Sequence, residues 1–231
     1  MFYTLPSNVV PWLIGFPIFA FFGIRAWQNY LKLHNPLSKL FAYTGFSAAI
    51  AFFMWSVPFL FTNNLTILLV CNIIGDFFLF LLFFLQAKII YYLALKNKVT
   101  EKYVLVPVAI IAMVGFISNS YGYIKNGVSL VDNTFNYSLP FLSDICQTIL
   151  LAGSLMVGIL MLFRINQQPN ARAKVALLGI SVLFILCGVG GALNVLLSGN
   201  PNQSPIIITS YIVGLFGFVV ILFSARIFKR K

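Results

Sequence analysis

The chain has 231 residues, is 61% hydrophobic and 8% charged, and has a mean hydropathy of +0.98. A water-soluble domain of this size does not carry so apolar a composition, so the chain falls in the polytopic membrane class. Its net charge of +11 does not signal a nucleic-acid binder, because the basic residues sit between apolar spans, where they set orientation in a bilayer.

Hydropathy predicts seven crossings: Asn8–Trp27, Leu37–Thr62, Leu65–Leu95, Tyr103–Asn119, Ser138–Phe163, Arg172–Ser198 and Pro205–Phe228. Backbone groups in hydrocarbon need partners within their own segment, and the uninterrupted runs exclude a barrel, so the expected fold is an all-α seven-transmembrane-helix bundle in one domain, residues 1–231. The fourth span is the shortest. The start, MFYTLPSNVVPW, lacks a charged leader before its apolar run, so no cleaved signal peptide is expected. Trp12 at one end of the first span, and Trp27 with Tyr30 at the other, suit interfacial anchoring.

Lysine and arginine set the orientation. Arg25, Lys32 and Lys39 lie around the first connection, Lys88, Lys96, Lys98 and Lys102 around the third, and Arg164, Arg172 and Lys174 around the fifth. Arg226, Lys229, Arg230 and Lys231 close the chain, and Lys125 alone falls on the opposite side. The positive-inside rule then puts the N-terminus outside and the C-terminus in the cytoplasm. On the outer side, Tyr121–Tyr137 is the longest connection and would either cap a cavity mouth or hang as a loose loop. Asn64, Asn136 and Asn202 each head a glycosylation sequon there, a pattern that Asn-rich loops also produce by chance. Cys71, Cys146 and Cys187 all lie within apolar spans and read as small core residues.

The third span carries Asp76 at its middle. An ionisable residue at mid-bilayer costs about 2.5–3.5 kcal/mol on insertion scales and usually faces the protein interior. At 100° per residue, Asn72, Asp76, Leu79, Phe83 and Gln86 fall within about 80° of one face, a polar seam on an otherwise Phe/Leu/Ile helix. Asp76 is either a protonated acid hydrogen-bonded to Asn72 or a neighbouring Ser as a packing device, or a site for a cationic ligand, a metal ion or a transferable proton.

The fifth span places Asp144, Gln147 and Thr148 within about 100° of one face. Cys187, Gly191, Asn194 and Ser198 form a stripe on the sixth, with Gly188 and Gly190 adding smallness, and Ser210 and Tyr211 lie in the seventh. Small-residue helix packing accounts for that stripe; the sharper alternative is an outward-facing cavity shared with Asp144. Catalytic constellations are missing. The one histidine, His34, lies in a connection, the two mid-span acids differ in depth, and neither a G-x-S-x-G elbow nor a phosphate-cradling glycine loop occurs. No enzyme activity, cofactor or metal is expected.

The second and third spans can be laid over the sixth and seventh, with Lys39 on Lys174, and LLFFLQAKII, containing Lys88, on VVILFSARIF, containing Arg226. With the fourth as an inverting linker, this would give a three-plus-one-plus-three plan of parallel halves. Such a plan resembles the topology of seven-helix sugar facilitators and of opsins. The opsin likeness would imply a Schiff-base lysine in the last helix, and Pro205–Phe228 contains none, so retinal is not an expected ligand. The leading expectation is an integral, multi-pass protein of the plasma or inner membrane that acts as a facilitator. Its small-molecule or ion site would draw on Asp76, Asn72, Asp144, Gln147, Thr148, Asn194 and Tyr211. The alternatives are a seven-helix receptor or sensor passing a signal to a separate cytoplasmic protein, and a structural subunit of a membrane complex, including an assembly of this chain with itself.

Overall fold

A computed structural model gives the fold of residues 6, 9–96, 99–131, 134–138, 140–168 and 171–196, the residues described below. Six helices run through them: α1 (Val10–Leu33), α2 (Pro36–Ser56), α3 (Leu65–Ile90), α4 (Glu101–Asn126), α5 (Phe141–Phe163) and α6 (Ala171–Leu196). A 3-10 turn, Val57–Leu60, extends α2, and a π-helical turn, Tyr91–Leu95, extends α3. All six are long and apolar enough to cross a membrane. That marks a multi-pass membrane protein embedded in a bilayer. The seventh expected crossing, and with it the overlay of the two halves, lies outside the described residues.

Capping defines where several helices begin. Asn35 accepts from the Leu37 N–H at 2.9 Å and is followed by Pro36, whose missing N–H costs nothing at a first helical position. Asn64 does the same for α3, accepting from Thr66 N and Ile67 N at 3.0 and 3.4 Å. The Asn64 sequon side chain is thus a helix cap. The fourth helix corrects the expectation: it is not the shortest but has 26 residues, equal to α3. Its final turns, Ser120–Asn126, lower the mean hydropathy without breaking the helix, which ends at Gly127 with φ +71°, a left-handed value suited to glycine.

Consecutive helices pack antiparallel. Along α1 and α2 the ring pairs Trp12–Trp55, Phe16–Phe53, Phe19–Phe52 and Phe22–Phe41 descend in opposite order with centroids 5.2–6.2 Å apart. Between them Gly23 meets Gly45: a Cβ on Gly45 would stand 2.7 Å from the Gly23 Cα, so both positions need hydrogen there. Helices α3 and α4 meet at Phe77–Phe116 and close at one end with the Lys88–Glu101 ion pair, 3.3 Å. Helices α5 and α6 interlock through Gly158 against Ile185 and Gly188 against Leu155. Phe41 of α2 reaches Phe184 of α6 at 6.0 Å, and Arg164 donates to the Leu93 carbonyl at 2.5 Å. Both contacts join the first helices to the last ones at the basic end.

At the other end the connection after α4 forms a hairpin, a departure from an all-α chain: β1 (Val128–Val131) pairs antiparallel with β2 (Thr134–Tyr137), Val128 opposite Tyr137. Phe135 is 1% exposed and packs edge-on to Phe59 at 4.9 Å, in a cluster with Val9 and Leu68. Of the two expectations for Tyr121–Tyr137, the structure gives the cap.

Candidate functional site

The polar seam on α3 faces inward. Asp76 is 3% exposed and Asn72 and Gln86 are buried with it. Turning this face to the interior leaves Ile67, Val70, Ile74 and Phe77 exposed on the opposite side, as an apolar helix in lipid requires. The seam borders a cavity of about 140 Å³ that follows α3 from Asn72 past Asp76, Leu79, Leu82 and Phe83 to Gln86. At 1.5 Å per residue that is a path of about 20 Å.

Around Asp76 the donors come from three other helices. Asn119 of α4 donates from Nδ2 to Asp76 Oδ2 at 2.6 Å. The Oδ1 of the same amide accepts from Ser143 Oγ and from Gln147 Nε2, the latter at 3.1 Å, and Gln147 Nε2 also lies 3.3 Å from Ser143 Oγ. The Tyr123 hydroxyl and the Trp55 indole N–H also lie near the carboxyl group. Trp55 can lie so close because its indole rests on Gly75, where a Cβ would overlap it; the indole nitrogen also stands 3.4 Å from the Asn72 carbonyl oxygen. Asn72 itself donates to Leu68 O, within its own helix, at 2.8 Å. Ten residues further along, Ser154 Oγ of α5 donates to Gln86 Oε1 at 2.8 Å, both groups buried against the same cavity.

The residues expected at a site are therefore divided. Asp76, Asn72 and Gln147 line the cavity, and Asp144 and Thr148 do not. The reason is helical phase: the inward face of α5 is Ser143, Gln147, Leu150, Leu151 and Ser154, and Asp144 is turned about 100° from Ser143. Thr148 Oγ1 donates back to the Asp144 carbonyl at 2.8 Å, and Asp144 stands in the first turn of α5, where the helix dipole favours an acid. Asn194 lies near the end of α6, its side chain outside what is described, and Tyr211 lies outside the described residues altogether. Cys187 and Gly191 of the α6 stripe border the cavity and Gly188 packs on α5, but the cavity is not shared with Asp144 as expected.

No family model, curated protein or solved structure matches the chain.

Function must be read from the chemistry of the cavity alone. Its wall is mostly apolar and aromatic: Trp12, Phe19, Phe22, Phe52 and Trp55 form one side. Trp12, expected as an interfacial anchor, packs on Trp55 and borders the cavity. Tyr137 of β2 and Tyr123, 5.7 Å apart, close the hairpin end. Among the described residues no Lys, Arg or His borders the cavity, and no three His, Cys, Asp or Glu side chains gather where they could hold a metal. Such an arrangement can recognise a small solute by one carboxyl group, a few amides and hydroxyls, and aromatic faces. Sequence reasoning did not single out Trp55, Asn119, Tyr123, Ser143 or Ser154. The spacing Ala112, Gly115, Asn119, Gly122, Tyr123 held a usable signal, a small-and-polar face at helical intervals.

Proposed function

We propose that this chain is a facilitator: a single-domain, seven-helix protein that carries a small solute through the space beside α3. In this reading the hairpin end, with the N-terminus, faces outside, and the lysine- and arginine-rich end faces the cytoplasm of a plasma or inner membrane. The observation that carries it is that Asp76 borders a cavity while remaining almost fully buried. A carboxyl group used for packing alone would need no cavity beside it. The polar groups are also spread along the path, with Asp76, Asn119 and Tyr123 near the hairpin and Gln86 with Ser154 about 15 Å further on by helix rise. Successive polar stations in an apolar tube let a solute exchange partners as it moves, binding firmly enough to enter and weakly enough to leave.

The size supports a small cargo. Drug-sized ligands occupy cavities of about 300–1,000 Å³, well above the 140 Å³ here. The test is uptake by vesicles reconstituted with the purified protein, using a panel of small cationic, neutral and anionic solutes and protons. Uptake of at least one above protein-free vesicles is expected, with Asp76→Asn reducing the initial rate about tenfold, the loss of about 1.4 kcal/mol of recognition. Vesicles that move nothing above background would refute the facilitator.

A further inference from the structure

We propose that the hairpin end of this cavity binds a small organic ammonium ion, its cationic nitrogen seated between the Asp76 carboxylate and the rings of Trp12 and Trp55. The inference rests on the cavity being a ligand site, as above, but not on transport. Asp76 is the sole charged side chain on the cavity wall among the described residues, and its neighbours there, Asn119, Tyr123 and Trp55, are neutral donors. The described wall offers no cation to match a carboxylate so placed, and an entering cation would supply one.

The surroundings select which cation. A bare metal ion prefers several oxygen ligands, whereas the groups directed at Asp76 present N–H and O–H donors. Aromatic faces do suit an alkylated ammonium, whose charge is spread over carbon and sheds water readily. Trp12 and Trp55, with centroids 5.5 Å apart and planes inclined at 50°, and Phe52, 5.8 Å from Trp55, border the cavity together. The whole cavity, about 140 Å³, is close to the engineered cavity of about 150 Å³ that accepts benzene, which sets an upper bound on the ligand at its hairpin end.

Choline is a suitable probe, because 3,3-dimethylbutan-1-ol has the same shape without the charge. Two of the three tryptophans border the cavity, so the full-length protein with Trp27→Phe reports occupancy through its own fluorescence. Choline should change that fluorescence saturably, and the alcohol should bind about tenfold or more weakly. In Asp76→Asn that preference should shrink several-fold, leaving only the share the aromatic rings supply. No saturable response to choline, or equal binding of the two solutes by the Trp27→Phe protein, overturns the ammonium site; this comparison does not depend on the Asp76 variant folding. An Asp76→Asn protein that keeps the full preference for choline overturns it as well. Choline binding without choline flux in vesicles keeps the site and removes the facilitator, while flux of neutral solutes without choline binding does the reverse.

Discussion

Asn119 is the joint of the buried network: its Nδ2 holds Asp76, and its Oδ1 accepts from Ser143 and Gln147. Asn119→Ala leaves polar groups on two helices, α3 and α5, without that partner while buried, at a cost of about 1–3 kcal/mol for a buried group left unsatisfied. Thermal unfolding in detergent should show a clear drop for Asn119→Ala and a smaller one for Gln147→Ala, which leaves the Ser143 and Asp76 bonds in place. Equal melting of Asn119→Ala and the parent would mean that the network does not hold the helices. Asp76 was legible in the sequence because charge in a long apolar run has no other cheap explanation, and Asn72 and Gln86 followed from it by helical spacing. Asn119 was not, because a neutral amide where hydropathy begins to fall reads as a helix end. Ser143 and Ser154 carry no signal until a partner helix is known, since a serine satisfies itself on its own backbone equally well.

Among the elements, the hairpin is the one that hydropathy concealed. Two four-residue runs, Val128–Val131 and Thr134–Tyr137, flank Asp132 and Asn133, and that composition has the pattern of strand, turn and strand. It was masked by the expectation that every element of a membrane chain is a helix. A hairpin of this size is marginal by itself, and Phe135 is the anchor that seats it on Phe59, Val9 and Leu68. Phe135→Ala removes a buried ring of the kind that contributes about 3–5 kcal/mol in cores. The amides of Val128–Val131 and Thr134–Tyr137 should then exchange with deuterium far faster, while those of α3 and α5 keep their protection. Unchanged exchange in the two strands would show that the hairpin is held by something other than this ring. Helix α1 was expected to end at Trp27 and runs on to Leu33, whereas the starts of α2 and α3 were readable from the apolar runs, to within a residue of Pro36 and Leu65, because those signals are local. The depth of α4 was not, since it depends on what Asn119 and Tyr123 find on α3 and α5.

For the whole molecule, the sum of the cations decides which way the bundle stands. Lys88, Lys96, Lys102, Arg164 and Lys174 all belong to one end of the described helices, and Lys125 closes α4 at the other. In a background without Cys71, Cys146 and Cys187, a cysteine replacing Lys125 should react with a membrane-impermeant maleimide in intact cells. One replacing Lys96 should react only after lysis. The reverse pattern would invert the orientation and place the hairpin inside. Of the seven expected helices, six lie in the described residues. That the chain makes several apolar helices around a common interior was readable from composition, because a bilayer permits few alternatives. The identity of the wall was not, since which rings line a space depends on how the helices rotate. One crossing governs how that enclosure could open. Where Gly23 meets Gly45, main chain lies against main chain, with no side chain between them to swing aside. The first two helices are thereby welded into one stiff lever, which moves as a whole up to the short turn of Val57–Leu60 where α2 ends.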